Sequence, residues 1–216
     1  MFSVRPSLRG SLLAAVLALA SAAATAAPVH YTVVSKLSRV SFSLNHQGFI
    51  NLFGTVRLAP GGFDFDADDW SKSSVKVSMP VSSIDLGDAT WNNQVRGDSS
   101  WAKLFGARRI EFRSTKLEQT EGTGGMQGKL YGDLTLAGVT KPVVLDLRFN
   151  KLGTNQVSKK ASVGFTATTV FKRSEFGLDA YLDLVGDDMT IQIQVEAAEG
   201  DDGDARNVIR ALGVKR

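Results

Sequence analysis

Apolar and polar side chains alternate at every second residue in segment after segment of this chain. Val40, Phe42, Leu44 and His46 fall on one side of an extended stretch, and Ser41, Ser43, Asn45 and Gln47 on the other. Leu130, Leu134 and Leu136 repeat the pattern, as do Val143, Leu145, Leu147 and Phe149. Ala161, Val163, Phe165, Ala167 and Phe171 continue it, and Met189, Ile191, Ile193 and Val195 close the series. Side chains alternate faces along a strand, so each segment predicts half-buried antiparallel sheet.

The pattern predicts strands over 31–34, 39–47, 52–58, 74–81, 109–117, 128–137, 143–151, 161–171 and 188–198. Turn residues fall between them at 59–62, 121–125 and Gly186-Asp187. One stretch departs from the alternation. Asp88 can cap a short helix holding Trp91 and Val95 four residues apart, ended by Gly97. Ser99 can cap a second with Trp101, Leu104 and Phe105, ended by Gly106. Two short helices with aromatic faces, set between strands, form either a cover for one end of the sheet structure or ordinary packing under a long loop.

Strands of this number and length exceed an immunoglobulin-type sandwich. The expected fold class is all-β: an antiparallel up-and-down barrel of about eight strands, with one or two short helices near its mouth. Such a barrel either fills with side chains or holds one slender ligand. A membrane-spanning barrel has the same period with its faces reversed. Three features favour the version with apolar residues inside. A charged tail follows the last apolar row; Trp70, Trp91 and Trp101 sit in connecting segments; and the polar rows mix full charges, Glu111 with Arg113 and Asp146 with Arg148.

Residues 1–26 are expected to be an export signal. Arg5 and Arg9 precede an apolar run over 12–20, and Ala24-Thr25-Ala26 offers small residues for cleavage. Residues 27–199 then form one barrel domain, located in the periplasm, and 200–216 an acidic linker with a short helical or disordered tail, in which Asp204 can cap Val208, Ile209 and Leu212. No later segment is long and apolar enough for a transmembrane helix. The chain contains no Cys, so stability must come from a core. The net charge of +3 falls to +1 once Arg5 and Arg9 are set aside, and the bases are scattered, which gives no case for nucleic acid.

Candidate chemistry is sparse. The only histidines are His30 and His46, and no spacing of ligands suggests a metal site. Asp64, Asp66, Asp68 and Asp69 lack the central Gly and distal Glu of a calcium loop and read as an acidic turn. There is no Gly-x-Ser-x-Gly elbow and no Cys nucleophile, and the Gly-rich 122–125 lacks a phosphate-loop Lys. His46 stands out because it continues an apolar row. It is either a hydrogen-bonded histidine at the rim or a polar group aimed at a ligand's polar end.

Several segments together resemble the YceI-like family. They are Phe42 to Gly48, Ser83-Ile84-Asp85-Leu86-Gly87, Ile110 to Thr115, Gly132 to Val143, Gly164-Phe165, Lys172-Arg173-Ser174-Glu175-Phe176-Gly177 and Val185-Gly186-Asp187. They keep the family's order across 31–198. The chain departs from the family pattern at Ser35, where Asp is frequent, at Phe105-Gly106, where a Tyr-Pro pair is frequent, and in the tail after Glu199.

The resemblance implies an exported, non-enzymatic, lipocalin-like barrel whose apolar cavity holds an isoprenoid chain such as a polyprenyl phosphate or an isoprenoid quinone. No cofactor beyond that lipid is implied, and the assembly state, a homodimer included, is left open. The residues expected to meet the apolar chain are Phe42, Leu44, Phe112, Leu134, Leu136, Leu145, Phe165, Phe176 and Ile193, with Trp101 and Phe105 at the mouth. His46, Arg96, Lys141 and Arg173 are the candidates for a polar or anionic head group. Two rivals share the sequence features: a filled barrel acting as a protein-interaction or stress-related module, and a hydrolase pairing His46 with an acidic residue.

Overall fold

The structure is a computed structural model that describes residues 27–120 and 126–200. The export signal expected over 1–26, the turn over 121–125 and the tail beyond Gly200 lie outside the described residues. The strands are β1 (Val29–Val33), β2 (Arg39–His46), β3 (Ile50–Val56), β4 (Gly62–Phe65) and β5 (Ser74–Pro80). They continue with β6 (Arg109–Thr120), β7 (Gln127–Leu136), β8 (Val139–Thr154), β9 (Ala161–Lys172) and β10 (Val185–Glu199). Helices α1 (Ala89–Gly97) and α2 (Ala102–Gly106) lie between β5 and β6.

All neighbouring strands are antiparallel, and β10 pairs with β1 as well as β9, which closes the ring. Among the described residues the ten strands make eight staves, because two staves are broken. β1 and β2 lie end to end along one edge of β10, with Tyr31 opposite Glu199 and Val40 opposite Ile193. β3 and β4 do the same on the next stave, with Val56 opposite Val40 and Phe63 opposite Tyr31. At the first break the Ser38 hydroxyl donates to Glu196 O and accepts from Glu196 N, both at 3.2 Å, so the interrupted ladder keeps its partners.

The rows point as the alternation predicts. Val40, Leu130, Leu134, Leu145, Leu147 and Phe165 are buried, whereas Glu111, Arg113, Asp146 and Arg148 are exposed. That polarity is the reverse of a membrane-spanning barrel. No helix among the described residues is long and apolar enough to cross a membrane.

The two ends of the barrel differ. One is plugged by aromatic rings from four elements: Phe65 meets Phe165 edge-on at 5.1 Å, Phe149 meets Phe165 at 5.6 Å, and Trp70 meets Phe65 at 5.7 Å. Each such pair adds about 0.5–1.5 kcal/mol beyond its burial. β4 is a strand that the sequence reading did not predict. Its Phe63 and Phe65 turn inward within the stretch read as an acidic turn. Asp64 belongs to that strand and binds His30 Nδ1 at 2.7 Å, while Asp66 is buried and accepts from Asp68 N and Asp69 N at 3.0 and 2.9 Å. Among the described residues no group of three or more His, Asp or Glu is placed to hold a metal.

The other end splits. Below the split, β4 pairs with β5; above it, β3 leaves β5, and residues 81–106 cross the gap. A short bridge stitches this crossing to the free edge of β3, with Thr55 N to Asp85 O at 2.8 Å and Asp85 N to Thr55 O at 2.9 Å. Asp88 caps α1 as expected, accepting from Trp91 N at 2.8 Å. Asp98, not Ser99, caps the second turn, accepting from Ser100 N at 2.8 Å. Both helices end at the predicted glycines.

Candidate functional site

Between the aromatic plug and the helical cover lies a cavity of about 550 Å³. Direct cross-strand partners share a face of the sheet, so the inward rows stay in phase around the ring. Phe42 faces Ile191, Phe112 faces Leu134, Leu130 faces Leu145 and Ala167 faces Ile193. Of the predicted apolar contacts, Phe42, Leu44, Phe112, Leu134, Leu136, Leu145, Phe165 and Ile193 line the cavity, and Trp101 and Phe105 line it from the cover.

Two glycines make room for rings on this wall. A Cβ on Gly54, opposite Phe42, would stand 2.2 Å from Phe42 Cζ, and one on Gly132 would stand 2.4 Å from Phe112 Cζ. Each phenyl ring occupies the space above its glycine. The cavity therefore owes part of its width to residues that no count of apolar positions would select.

Three predicted contacts fall elsewhere. Phe176 is fully buried but outside the cavity, packed edge-on against Phe171 at 5.1 Å. It sits in a 3₁₀ turn (Arg173–Phe176), where strand alternation no longer governs direction. Lys141 lies opposite Leu134, on the inward register, yet its side chain is exposed and does not line the cavity. Arg96 turns away from the cavity. Its guanidinium donates to Ile84 O at 2.6 Å and Ser82 O at 3.4 Å, in a separate polar recess beside Arg57, Asp85 and Asn92.

Two of the four head-group candidates remain at the cavity, and both are at its covered end. His46 ends the β2 row half-buried, its Nε2 3.4 Å from the Gln47 amide nitrogen. Its hydrogen-bonding neighbour is an amide, not the acidic residue that the hydrolase reading requires. Arg173 lines the cavity and is fully buried. Its Nε donates to Gly186 O at 3.0 Å, one terminal nitrogen to Val185 O at 2.7 Å and the other to Leu178 O. Burial pulls its pKa below the usual arginine range, against the opposing charges of Asp187 and Asp179. It remains a cation at any physiological pH.

The cover is latched to the segment that Arg173 organises. The guanidinium lies 5.5 Å from the Trp101 ring centroid, a cation–π contact. Tyr181 Oη donates to Asp98 Oδ2 at 2.8 Å, and Lys103 Nζ donates to Phe176 O at 3.2 Å. The Ser100 amide, Tyr181 and the Ser100 hydroxyl, all bonding to the ionised form, hold the Asp98 carboxyl below its ordinary pKa.

Sequence reasoning missed part of the lining. Phe63 and Phe65 contribute from β4, and Trp91, Val95 and Leu104 from the cover. The two phenylalanines are two residues apart, which is the strand signal, but the aspartates between and after them masked it. The hollow interior exceeds the ~300 Å³ lower bound of ligand pockets, which counts against a filled barrel.

A family model described as the YceI-like domain matches residues 31–197. A UPF0312 protein of Serratia proteamaculans is 31% identical over 157 residues, covering 73% of this chain and 79% of that one. The crystal structure of a YceI protein from Campylobacter jejuni superimposes with a TM-score of 0.61 at 25% identity, covering 73% of this chain and 90% of that one. A polyisoprenoid binding domain from Saccharophagus degradans, implicated in plant cell wall breakdown, superimposes with a TM-score of 0.57 at 10% identity, covering 80% of this chain and 99% of that one. Domain match, relatives and barrel agree: the chain belongs to the YceI-like family.

Proposed function

We propose that this protein is a non-enzymatic carrier of a long-chain isoprenoid lipid, a polyprenyl phosphate or an isoprenoid quinone, exported to the periplasm. The observation that carries this reading is the cavity of about 550 Å³ walled by aliphatic and aromatic side chains from every stave. Apolar surface removed from water contributes about 25 cal/mol per Å². A branched hydrocarbon tail can therefore be held along such a wall without directed polar contacts. His46 and Arg173 stand at the covered end, where the polar head of a tail-down ligand would lie. The Saccharophagus degradans barrel, named for polyisoprenoid binding, supports this choice of ligand class by its shared fold.

Purification without detergent, followed by organic extraction and mass spectrometry, tests the reading. The expected result is a polyprenyl species in stoichiometric amount, or uptake of added polyprenol by the stripped protein. An empty cavity in every preparation, together with no uptake of polyprenol, polyprenyl phosphate or quinone, would overturn it.

A further inference from the structure

The covered end of the barrel exposes an unusual set of large apolar side chains. Phe49, Ile50 and Phe53 on the β2–β3 hairpin are 82%, 57% and 67% exposed. Tyr181, Leu182 and Leu184 on the neighbouring loop are 44%, 43% and 41% exposed. Gln47 N donates to Leu184 O at 3.1 Å, and His46 stands opposite Val185, so hairpin and loop form one rim. Phe53, Tyr181 and Leu184 also line the cavity, which makes the rim continuous with its wall. Phe49 and Phe53 keep most of their ring surface in water, and contiguous apolar patches of this kind mark interaction sites.

We propose that this rim is a docking surface for a neutral lipid bilayer. The proposal rests on the carrier reading and extends it. An isoprenoid tail has almost no solubility in water, so it must pass between bilayer and cavity at a mouth that touches the membrane. The charge pattern selects the partner. Between Arg39 and Arg57 there is no Lys, Arg, Asp or Glu, and the hairpin's polar residues are Ser, Asn, Gln, Thr and His46. The loop adds Glu175, Asp179 and Asp183, with no Lys or Arg from 174 to 184. Docking on a protein partner uses charge to set orientation, and docking on anionic lipid uses bases. The hairpin offers neither, and the loop offers only acidic groups, which repel anionic lipid. The hairpin's uncharged polar groups around Phe49, Ile50 and Phe53 suit the headgroup boundary of a zwitterionic bilayer, where amphipathic rings settle.

The test is cosedimentation with extruded phosphatidylcholine vesicles, alongside polyprenol uptake from detergent micelles. Phe49 and Ile50 do not line the cavity, so the double substitution Phe49→Ser/Ile50→Ser leaves the fold and micellar uptake intact. The expected result is vesicle binding that is insensitive to salt, not improved by anionic lipid, and weakened about tenfold or more by the double substitution. Wild-type protein that stays in the supernatant, a variant that binds like the wild type, or binding that requires anionic lipid and collapses at high salt overturns the proposal. So does a concentration-dependent dimer, seen by sedimentation velocity, that the double substitution dissociates. Failure of micellar uptake with vesicle binding retained counts against the carrier reading and leaves the rim assignment standing.

Discussion

The guanidinium of Arg173 lies 5.5 Å from the centroid of the Trp101 ring, which ties the end of β9 to the cover across the cavity mouth. The same guanidinium serves three backbone carbonyls, those of Leu178, Val185 and Gly186. A buried base thus ties the loop at Leu178 to the start of β10, beside the irregularity between Val185 and Met189.

Arg173→Met keeps the volume and removes every donor. Three carbonyls, one buried and two part-buried, then lose their partners, at about 1 kcal/mol each. The expected loss is about 3 kcal/mol, read as a lower urea midpoint at unchanged slope. Arg173→Lys should recover only part of this, because an ammonium lacks the planar fork that reaches three carbonyls.

The cover should loosen in acid before the barrel does. The Asp98 carboxyl is held below its ordinary pKa by hydrogen bonds from Ser100 and Tyr181, and Asp85 by Asn92, the Gly87 amide and the charges of Arg96 and Arg57. A depressed folded-state pKa contributes stability that is present above the unfolded value, about 3.9 for Asp, and is lost as pH falls through the folded one. Hydrogen exchange of amides 89–106 is therefore expected to quicken below about pH 4 while β7 to β9 stay protected. In Asp98→Asn much of that pH dependence should vanish.

Added methyls at the two ring-bearing glycines should separate. In Gly54→Ala the three atoms nearest the new Cβ all belong to the Phe42 ring, which lines the hollow cavity, so the ring can swing inward. In Gly132→Ala it also meets Arg113 O at 2.5 Å, backbone of the paired β6, which cannot yield without disturbing the ladder beside the Ser114/Lys116 bulge. Thermal melts should place Gly132→Ala lower, by about 1–3 kcal/mol of stability. Gly54→Ala should chiefly reduce ligand uptake.

Ala167→Phe fills the cavity from a buried position opposite Ile193 and Leu147. With open space ahead of it, the ring should change stability by about 1 kcal/mol or less. Polyprenol uptake from micelles should fall tenfold or more. Uptake equal to the wild type would show that ligand does not enter past this level of the barrel.

Most of the barrel was legible because period-two alternation is a local property. Val40 to His46 and Val143 to Phe149 declare their inner faces without help from the rest of the chain. The broken staves were not legible, since the pairing of β1 and β2 to a single edge depends on β10, about 150 residues away. β4 was hidden because Gly62 and Asp64 suppress the strand signal of Phe63 and Phe65. The cations failed for a related reason. Whether Arg96, Lys141 or Arg173 points inward depends on how each element ends, and only Arg173 sits where a loop folds back under it. Nothing in the residue type distinguishes the three.

The plugged end and the hollow end will answer differently to compression. A wall that faces empty apolar space has no atoms to resist inward collapse, and unfolding eliminates that void. Under hydrostatic pressure the empty barrel should therefore yield first at the covered end, with the Trp70 ring cluster holding longest. Filling the cavity with a lipid tail should raise the pressure midpoint even where the melting temperature hardly moves, making volume rather than heat the sensitive measure of occupancy.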